Sequence, residues 1–272
     1  MSAPGNIMDF YLSLKDGKRA NTTVSRQVRD LTLTQLSEDL WMVVACDSDG
    51  GIGPKKFDSV YSPAYDLGRL GTRVPLMEIL ACGAVPIAVV DALAVEMDPT
   101  GKEIIRGVKD EVSEAGLNFD VMITGSTEDN VVTVSTGMGV VVIGLVSRFD
   151  FRPGRSTDGD VIVSVGLPKS APEYKITYHD PEIATPETIS ALTKLEYVHE
   201  ILPVGSKGIR YEFGELARVA GLAPETHGTA GVDVDKSAGP STCCLVSLSR
   251  GGGEDLIRRI PKPVSIIGGL RK

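Results

Sequence analysis

Cysteine, histidine and aromatic residues are scarce in this chain, and each scarcity excludes something. The 4 cysteines (Cys46, Cys82, Cys243 and Cys244) contain no C-x-x-C pair, which removes the usual zinc and dithiol patterns. Adjacent Cys243 and Cys244 suit a buried strand, and the chain reads as reduced and cytoplasmic. The 3 histidines, His179, His199 and His227, are too scattered for a His-based zinc site. With 5% aromatics the core must be aliphatic, and 30 glycines point to many turns. The longest apolar run, residues 137–146, is too short to cross a membrane. Residues 1–30 hold no apolar segment of the signal-peptide kind, so no secretion is expected. A net charge of −8 argues against a general nucleic-acid surface. An anionic ligand would have to be held by local lysines, glycines or a metal ion.

What is present suffices for one large domain or two modest ones, since 42% of the residues are hydrophobic. Residues 40–45 read as a buried strand. Leu67, Leu70, Val74, Met77 and Leu80 recur at helical spacing, so a helix is expected over 64–82, stopped at Gly83. Residues 86–94 read as an aliphatic strand. Asp98-Pro99 reads as the start of a second helix, with Ile104, Ile105, Val108, Val112 and Ala115 as its stripe. Strands are expected over 119–124 and 131–146. A polar, glycine-containing tract at 150–160 divides the chain into an N-terminal domain, 1–150, and a C-terminal domain, 151–272. In the second, strands are expected at 161–165, 242–248 and 264–267, and helices from Thr185-Pro186, over 209–220 and over 254–260. Strands and helices mix without strict β-α-β alternation, which indicates an α+β fold.

The segment Asp47-Ser48-Asp49-Gly50-Gly51-Ile52-Gly53-Pro54-Lys55-Lys56 is the densest in chemistry. Asp47 and Asp49 are expected to leave the strand and enter a glycine-rich loop. Their carboxylates are hard ligands of the kind Mg²⁺ prefers. Gly50, Gly51 and Gly53 let backbone N–H groups approach phosphate oxygens. Lys55 or Lys56 can neutralise phosphate charge. The Walker and G-x-G-x-x-G spacings are absent, and a plain Asp/Gly turn between strands has the same composition.

Four segments, in this order, resemble the superfamily of aminoimidazole ribonucleotide synthetase, thiamine-monophosphate kinase, selenophosphate synthetase and the hydrogenase-maturation dehydratase. Residues 47–55 look like its first Asp/Gly nucleotide motif. Residues 76–86 resemble its helix ending in Gly-Ala-x-Pro, which bears an acidic metal ligand where this chain has Glu78. Thr124-Gly125-Ser126-Thr127 stands where the family has Gly-Gly-acid-Thr. Residues 158–164 resemble the Pro-Gly-Asp strand that opens its C-terminal domain. The resemblance spans roughly residues 38–270. It implies a two-domain AIR synthase-like fold and a homodimer whose N-terminal sheets pair into a barrel. It also implies ATP with Mg²⁺ in a cleft near that interface.

Under this resemblance Asp47, Asp49 and Glu78 are metal candidates. Gly50, Gly51, Gly53, Lys55, Gly125, Ser126 and Thr127 are candidates for holding ATP. Ser126 replaces the family's acid, and Glu128 or Asp129 could stand in for it, so Asp129 joins the metal set. An extra residue in the first loop leaves open which of Asp47 and Asp49 is the ligand. Glu78 stands on an otherwise apolar helix face, where an unpaired carboxylate is costly to bury. It either meets a metal or pairs with Arg73 or Lys55. Asp91, in an aliphatic strand, calls for a substrate contact or a structural partner. His199, Ser206 and Lys207 read as surface residues.

Family members transfer or cleave the γ-phosphate of ATP, a reaction driven by positioning and charge neutralisation. Residues 1–45 lack the early cysteine of selenophosphate synthetase-like enzymes, and the ending Gly268-Gly269-Leu270-Arg271-Lys272 lacks the cysteine of the dehydratase. The purine ring-closing enzyme carries a fuller Gly-Gly-Glu-Thr. The resemblance therefore implies an ATP-dependent kinase of a small nucleoside-like or vitamin-precursor hydroxyl, similar to thiamine-monophosphate kinase or to α-ribazole kinases. The alternatives are an ATP-dependent cyclo-ligase and a non-catalytic nucleotide-binding protein.

Overall fold

The computed structural model describes residues 7–17, 25–117, 120–226 and 231–272. Helix α1 (Ile7–Lys15) precedes a hairpin of β1 (Ser25–Val28) and β2 (Leu31–Gln35), followed by the long β3 (Leu40–Gly50). Two short strands, β4 (Ile52–Gly53) and β5 (Val60–Tyr61), pair in parallel. Helix α2 (Ala64–Ala81), β6 (Val85–Leu93), α3 (Lys102–Ser113), β7 (Met122–Ser126) and β8 (Gly137–Ser147) complete the first half. Its six-stranded sheet has the order β1-β2-β3-β8-β6-β7, and only the β6–β7 pair is parallel.

The second half contains β9 (Val161–Val165), α4 (Pro186–Leu192), β10 (Val198–Pro203), α5 (Gly208–Ala220), β11 (Ala223–Thr226), β12 (Cys244–Leu248), α6 (Gly253–Arg259) and β13 (Val264–Arg271). Its antiparallel sheet has the order β10-β12-β9-β13-β11. The fold is mixed α+β. Among the described residues no helix is long and apolar enough to cross a membrane.

Helix α2 is wedged between the halves. It packs on β3 and β8 of the first sheet and on α4 and β10 of the second half. Its expected stripe is buried at Leu67, Leu70, Met77 and Leu80. Two glycines set its distance from α3. A Cβ at Gly68 would lie 2.1 Å from the Ile104 carbonyl oxygen, and one at Gly107 would lie 2.2 Å from that of Tyr65. The buried Glu111 of α3 then takes 2.6 and 2.7 Å hydrogen bonds from Arg69 Nε and Arg73 Nε of α2. Arg73 Nη2 also donates to the Tyr178 carbonyl at 2.9 Å, tying the helix pair to the second half.

The two faces of the first sheet differ. Ala45, Val142, Val89 and Ile123 lie in register on the inner face. Val44, Ile143, Ala88 and Met122 line up on the outer face, where Met122 is 67% exposed. Helix α1 covers one end of that face by packing Phe10 against Leu36, Leu40, Met42 and Leu145.

Several elements depart from the sequence reading. β3 runs through Asp47 and Asp49, which pair with Val140 and Met138, so both lie in a strand rather than a loop. The ladder continues because β8 supplies a partner as far as Gly50. The strand expected from residue 131 begins only at Gly137. The strand expected from 119 is Met122–Ser126, and Phe119 lies outside the described residues. Asp98-Pro99 falls in a single π-helical turn, Met97–Gly101, ahead of α3. α1, β1, β2, β10 and β11 have no counterpart among the elements expected from the sequence.

Gly68→Ala tests the close helix crossing. The added methyl meets backbone, which cannot rotate away. The expected loss is about 1–3 kcal/mol, seen as a Tm several degrees lower in a thermal melt. An unchanged Tm would show that the helices are not in contact there.

Candidate functional site

Strand alternation puts Asp47 and Asp49 on the inner face with Val43 and Ala45, beneath α2. Asp49 meets α2 at Gly71, where a Cβ would come 2.7 Å from its Oδ2. Burial, together with the charge of Asp47, pushes Asp49 up to about 6. Asp47 is raised by burial, with Asp30 adding to the effect against a hydrogen bond from the Ser48 backbone. Glu78 of α2 is pushed up to about 8 by burial and by Asp30, with Arg29 opposing and Glu212 and Asp47 adding repulsion. Glu212 of α5 rises to about 7 through burial and then Asp30. The charge of Asp30, in the β1–β2 turn, thus bears on Asp47 of β3, Glu78 of α2 and Glu212 of α5, and Glu78 is repelled by the other three.

A buried ion pair assembles this group. Arg29 has a left-handed backbone, φ 53°, and its guanidinium pairs with Glu200 of β10. Glu200 also accepts from Gly154 N at 2.9 Å, Ser156 N at 3.2 Å and Ser156 Oγ at 2.6 Å. The pair pins the turn that bears Asp30 against the second half. Lys207 is exposed, as expected, but feels Asp30 and Glu212 and lies 4.1 Å from the Tyr211 ring centre.

Asp30, Arg29 and Glu212 escaped the sequence reading. Glu212 carried the same signal as Glu78, an acid within an apolar stripe, here between Ile209, Phe213 and Leu216. Asp30 sits in a polar hairpin that offers no such contrast. The pairing of Glu78 with Arg73 or Lys55 does not occur. Arg73 is five positions away on the helix, points to another side and is held by Glu111, while Lys55 Nζ donates to Glu96 Oε2 at 2.5 Å.

The glycine loop is organised by Asp58, which accepts from Lys55 N at 2.8 Å, Thr136 N at 2.6 Å and Thr136 Oγ1 at 2.7 Å. Gly50 ends β3. Gly53 passes so close to Thr136 that a Cβ would lie 2.4 Å from its Oγ1. Gly51 has φ 70°, a left-handed conformation. Lys55 also donates to the Thr133 carbonyl at 3.1 Å, so its charge is engaged by the protein. Glu96 is held at about 2: burial acts against this, but the bonds from Lys55 and Thr100 prevail.

The third motif meets the first across the sheet. Asp47, Val140, Asp91 and Gly125 form one inner-face row. The Asp91 carboxylate lies over Gly125, where a Cβ would fall 1.6 Å from its Oδ1. Burial raises Asp91, and Lys109 partly offsets this. Ser126 is exposed on the edge strand. Thr127 Oγ1 donates to Asp129 Oδ2 at 2.7 Å, and Met97 N donates to its Oδ1 at 2.9 Å. Asp129 therefore uses one oxygen on its own turn and the other on the Met97 backbone, and it is not among the charges acting on Asp47, Asp49 or Glu78.

Among the described residues no three acidic, histidine or cysteine side chains converge tightly enough to form a ready-made metal cage. Mg²⁺ does not require one, because it is commonly held by one or two carboxylates with water and substrate phosphates. An all-oxygen set in which Asp47, Glu78 and Glu212 are raised fits such a cation, which would relieve the repulsion on Glu78.

A pH prediction follows for the cation-free protein. Asp49, Glu78 and Glu212 bind protons more tightly folded than unfolded, so stability falls as pH rises from about 4.5 to 8. Glu78→Gln should flatten that slope and be more stable than the parent at pH 8, by on the order of 1–3 kcal/mol. Denaturant titrations at pH 5.5 and pH 8 check this, and a parent slope of the opposite sign would refute it.

No curated protein matches the sequence. Residues 28–146 match the family described as AIR synthase related protein, N-terminal domain. Thiamine-monophosphate kinase from Stenotrophomonas maltophilia superposes with a TM-score of 0.59 at 16% identity, covering 100% of this chain and 95% of that one. A structure described as AaThiL complexed with AMPPCP and TMP gives 0.60 at 12% identity, covering 98% and 91%. HypE of E. coli, a hydrogenase maturation protein, gives 0.62 at 15% identity, covering 84% and 80%. At these identities the structural likeness is one of fold. Residues 28–146 belong by sequence to the AIR synthase-related family, and over its whole length the chain shares the fold of these structures.

Proposed function

We propose that the protein is an ATP-dependent phosphotransferase. In this reading Mg²⁺ and ATP bind at the cluster of Asp30, Asp47, Glu78 and Glu212, and the acceptor is a small hydroxyl of nucleoside or vitamin-precursor type. The observation that carries this is the buried Glu78, repelled by Asp30, Asp47 and Glu212 from both halves of an AIR synthase-related fold. The kinase superposition over nearly the full length of both chains supports it, as does the AMPPCP and TMP complex of a relative.

Asp47 and Glu78 are the first candidates to hold the cation, with Asp30 and Glu212 on the facing wall. Bound Mg²⁺ would supply charge neutralisation of the phosphate chain. Arg29, engaged by Glu200, acts as a positioning residue that presents Asp30. Lys207 offers an exposed ammonium at the rim, where it can meet phosphate. Cys46, the exposed cysteine, lies on the opposite face of β3 and takes no part.

A homodimer belongs to the same reading. The apolar outer row of Val44, Ile143, Ala88 and Met122 would be covered by the same face of a second copy, closing two sheets into a barrel.

Purified protein with MgATP, assayed against hydroxyl acceptors including thiamine monophosphate and α-ribazole, should yield ADP and a phosphorylated product. Asp47→Asn or Glu78→Gln should lower kcat by about 10²–10³-fold with the fold retained. Release of inorganic phosphate without a phosphorylated product would move the reading to a cyclo-ligase. In size-exclusion chromatography the parent should elute as a dimer and Ile143→Asp as a monomer; a monomeric parent would refute the barrel.

A further inference from the structure

A second charged cavity lies apart from the carboxylate cluster. A groove of about 510 Å³ opens where β6 begins, beside the end of α2 and α4. Val85, Pro86 and Leu117 make one end apolar, and Arg152, Arg155 and Lys194 line the rest together with one carboxylate, Asp150. A hollow of about 490 Å³ continues from it, sharing Arg152, Arg155, Thr193 and Lys194 and reaching His199. None of Asp30, Asp47, Glu78 or Glu212 lines either space.

No carboxylate is bonded to any of the three cations. Arg152 donates to the carbonyls of Val198, at 3.0 Å, and Thr193, at 2.7 Å. Arg155 donates to the Phe149 carbonyl. Lys194 has no side-chain partner among the described residues. Burial and the neighbouring Arg155 both work against the charge on Arg152, with Asp150 opposing. In a chain of net charge −8, three cations facing only Asp150 and Glu196, with no ion pair between them, leave a local excess of positive charge that an anion would neutralise.

The far end is also organised. His199 Nδ1 lies 2.8 Å from Asp160 Oδ2. The buried Asp160 also accepts from Ser247 Oγ at 2.8 Å and from Thr157 N and Oγ1 at 2.8 and 2.9 Å. This network assigns the proton to Nδ1 and holds the ring, leaving Nε2 as the free polar edge.

We propose that this groove binds a small phosphorylated molecule. Arg155 and Lys194 contact its phosphate, Arg152 supplies the field behind them, and the apolar end receives the remainder. The combined space suits a small ligand, and the chain's negative charge disfavours nucleic acid. The inference stands independently of the phosphotransferase reading.

The test is calorimetric and thermal-shift titration of the full chain with inorganic pyrophosphate and with phenyl phosphate. It is run without Mg²⁺, in chloride buffer of fixed ionic strength. Both probes should bind saturably and raise Tm, phenyl phosphate by filling the apolar end. Lys194→Glu, which disturbs no bond of the folded chain, and Arg155→Ala should each weaken binding at least tenfold. Asp47→Asn should leave it unchanged. The proposal fails if the parent shows no saturable binding, if binding survives both basic-residue variants, or if it is lost in Asp47→Asn, which would assign the anion to the carboxylate cluster.

Discussion

A helix buried on nearly every side makes every charged group it carries costly to leave unpaired, and α2 is such a helix. Its apolar residues alone would make it an ordinary core element. Its charged residues decide what surrounds it. Arg69 and Arg73 require the carboxylate of Glu111, which brings α3 to the distance that Gly68 and Gly107 permit. Arg73 further requires the Tyr178 carbonyl and so recruits the second half. Glu78 finds no such internal partner. Its neighbours are Asp30, Glu212 and Asp47, with Arg29 as partial compensation. The same burial that stabilises the helix therefore creates a site that favours protons or a cation.

The site is a property of both halves together. Asp30 belongs to the first sheet and Glu212 to a helix of the second, and the Arg29–Glu200 pair holds them on one seam. Removing one member of a buried ion pair usually costs more than the pair contributes, because the survivor is left uncompensated. Glu200 also anchors Gly154 and Ser156, in the segment that joins the two sheets, so its loss would disturb the connection as well as Asp30.

Much of this was legible in the residues. The helical spacing of Leu67, Leu70, Met77 and Leu80 marked α2, and Thr185-Pro186 marked a capped start that the structure shows as a capping box with Thr188. Gly221 adopts the left-handed conformation that ends α5. Glu78 stood out because an acid breaks an apolar stripe. The role of Lys55 was not legible: its phosphate-facing appearance depended on Glu96 being elsewhere, and Glu96 is 41 positions away in sequence but 2.5 Å away in space. Asp129 likewise looked like a spare acid, but Thr127 Oγ1 and the distant Met97 N each take one of its oxygens.

The sequence by itself determined periodicities, caps and the order of the chemical segments, because these rest on contacts within a turn of helix or along one strand. Only the tertiary structure decided that β3 extends through Asp47 and Asp49, because that requires β8 as a partner ninety or so positions on. Only it decided that Asp30 and Glu212 join Glu78, and that three cations line one groove. Those outcomes depend on Coulomb interactions between groups remote in sequence, and such interactions acquire their sign and strength only when packing sets the distances and removes the water.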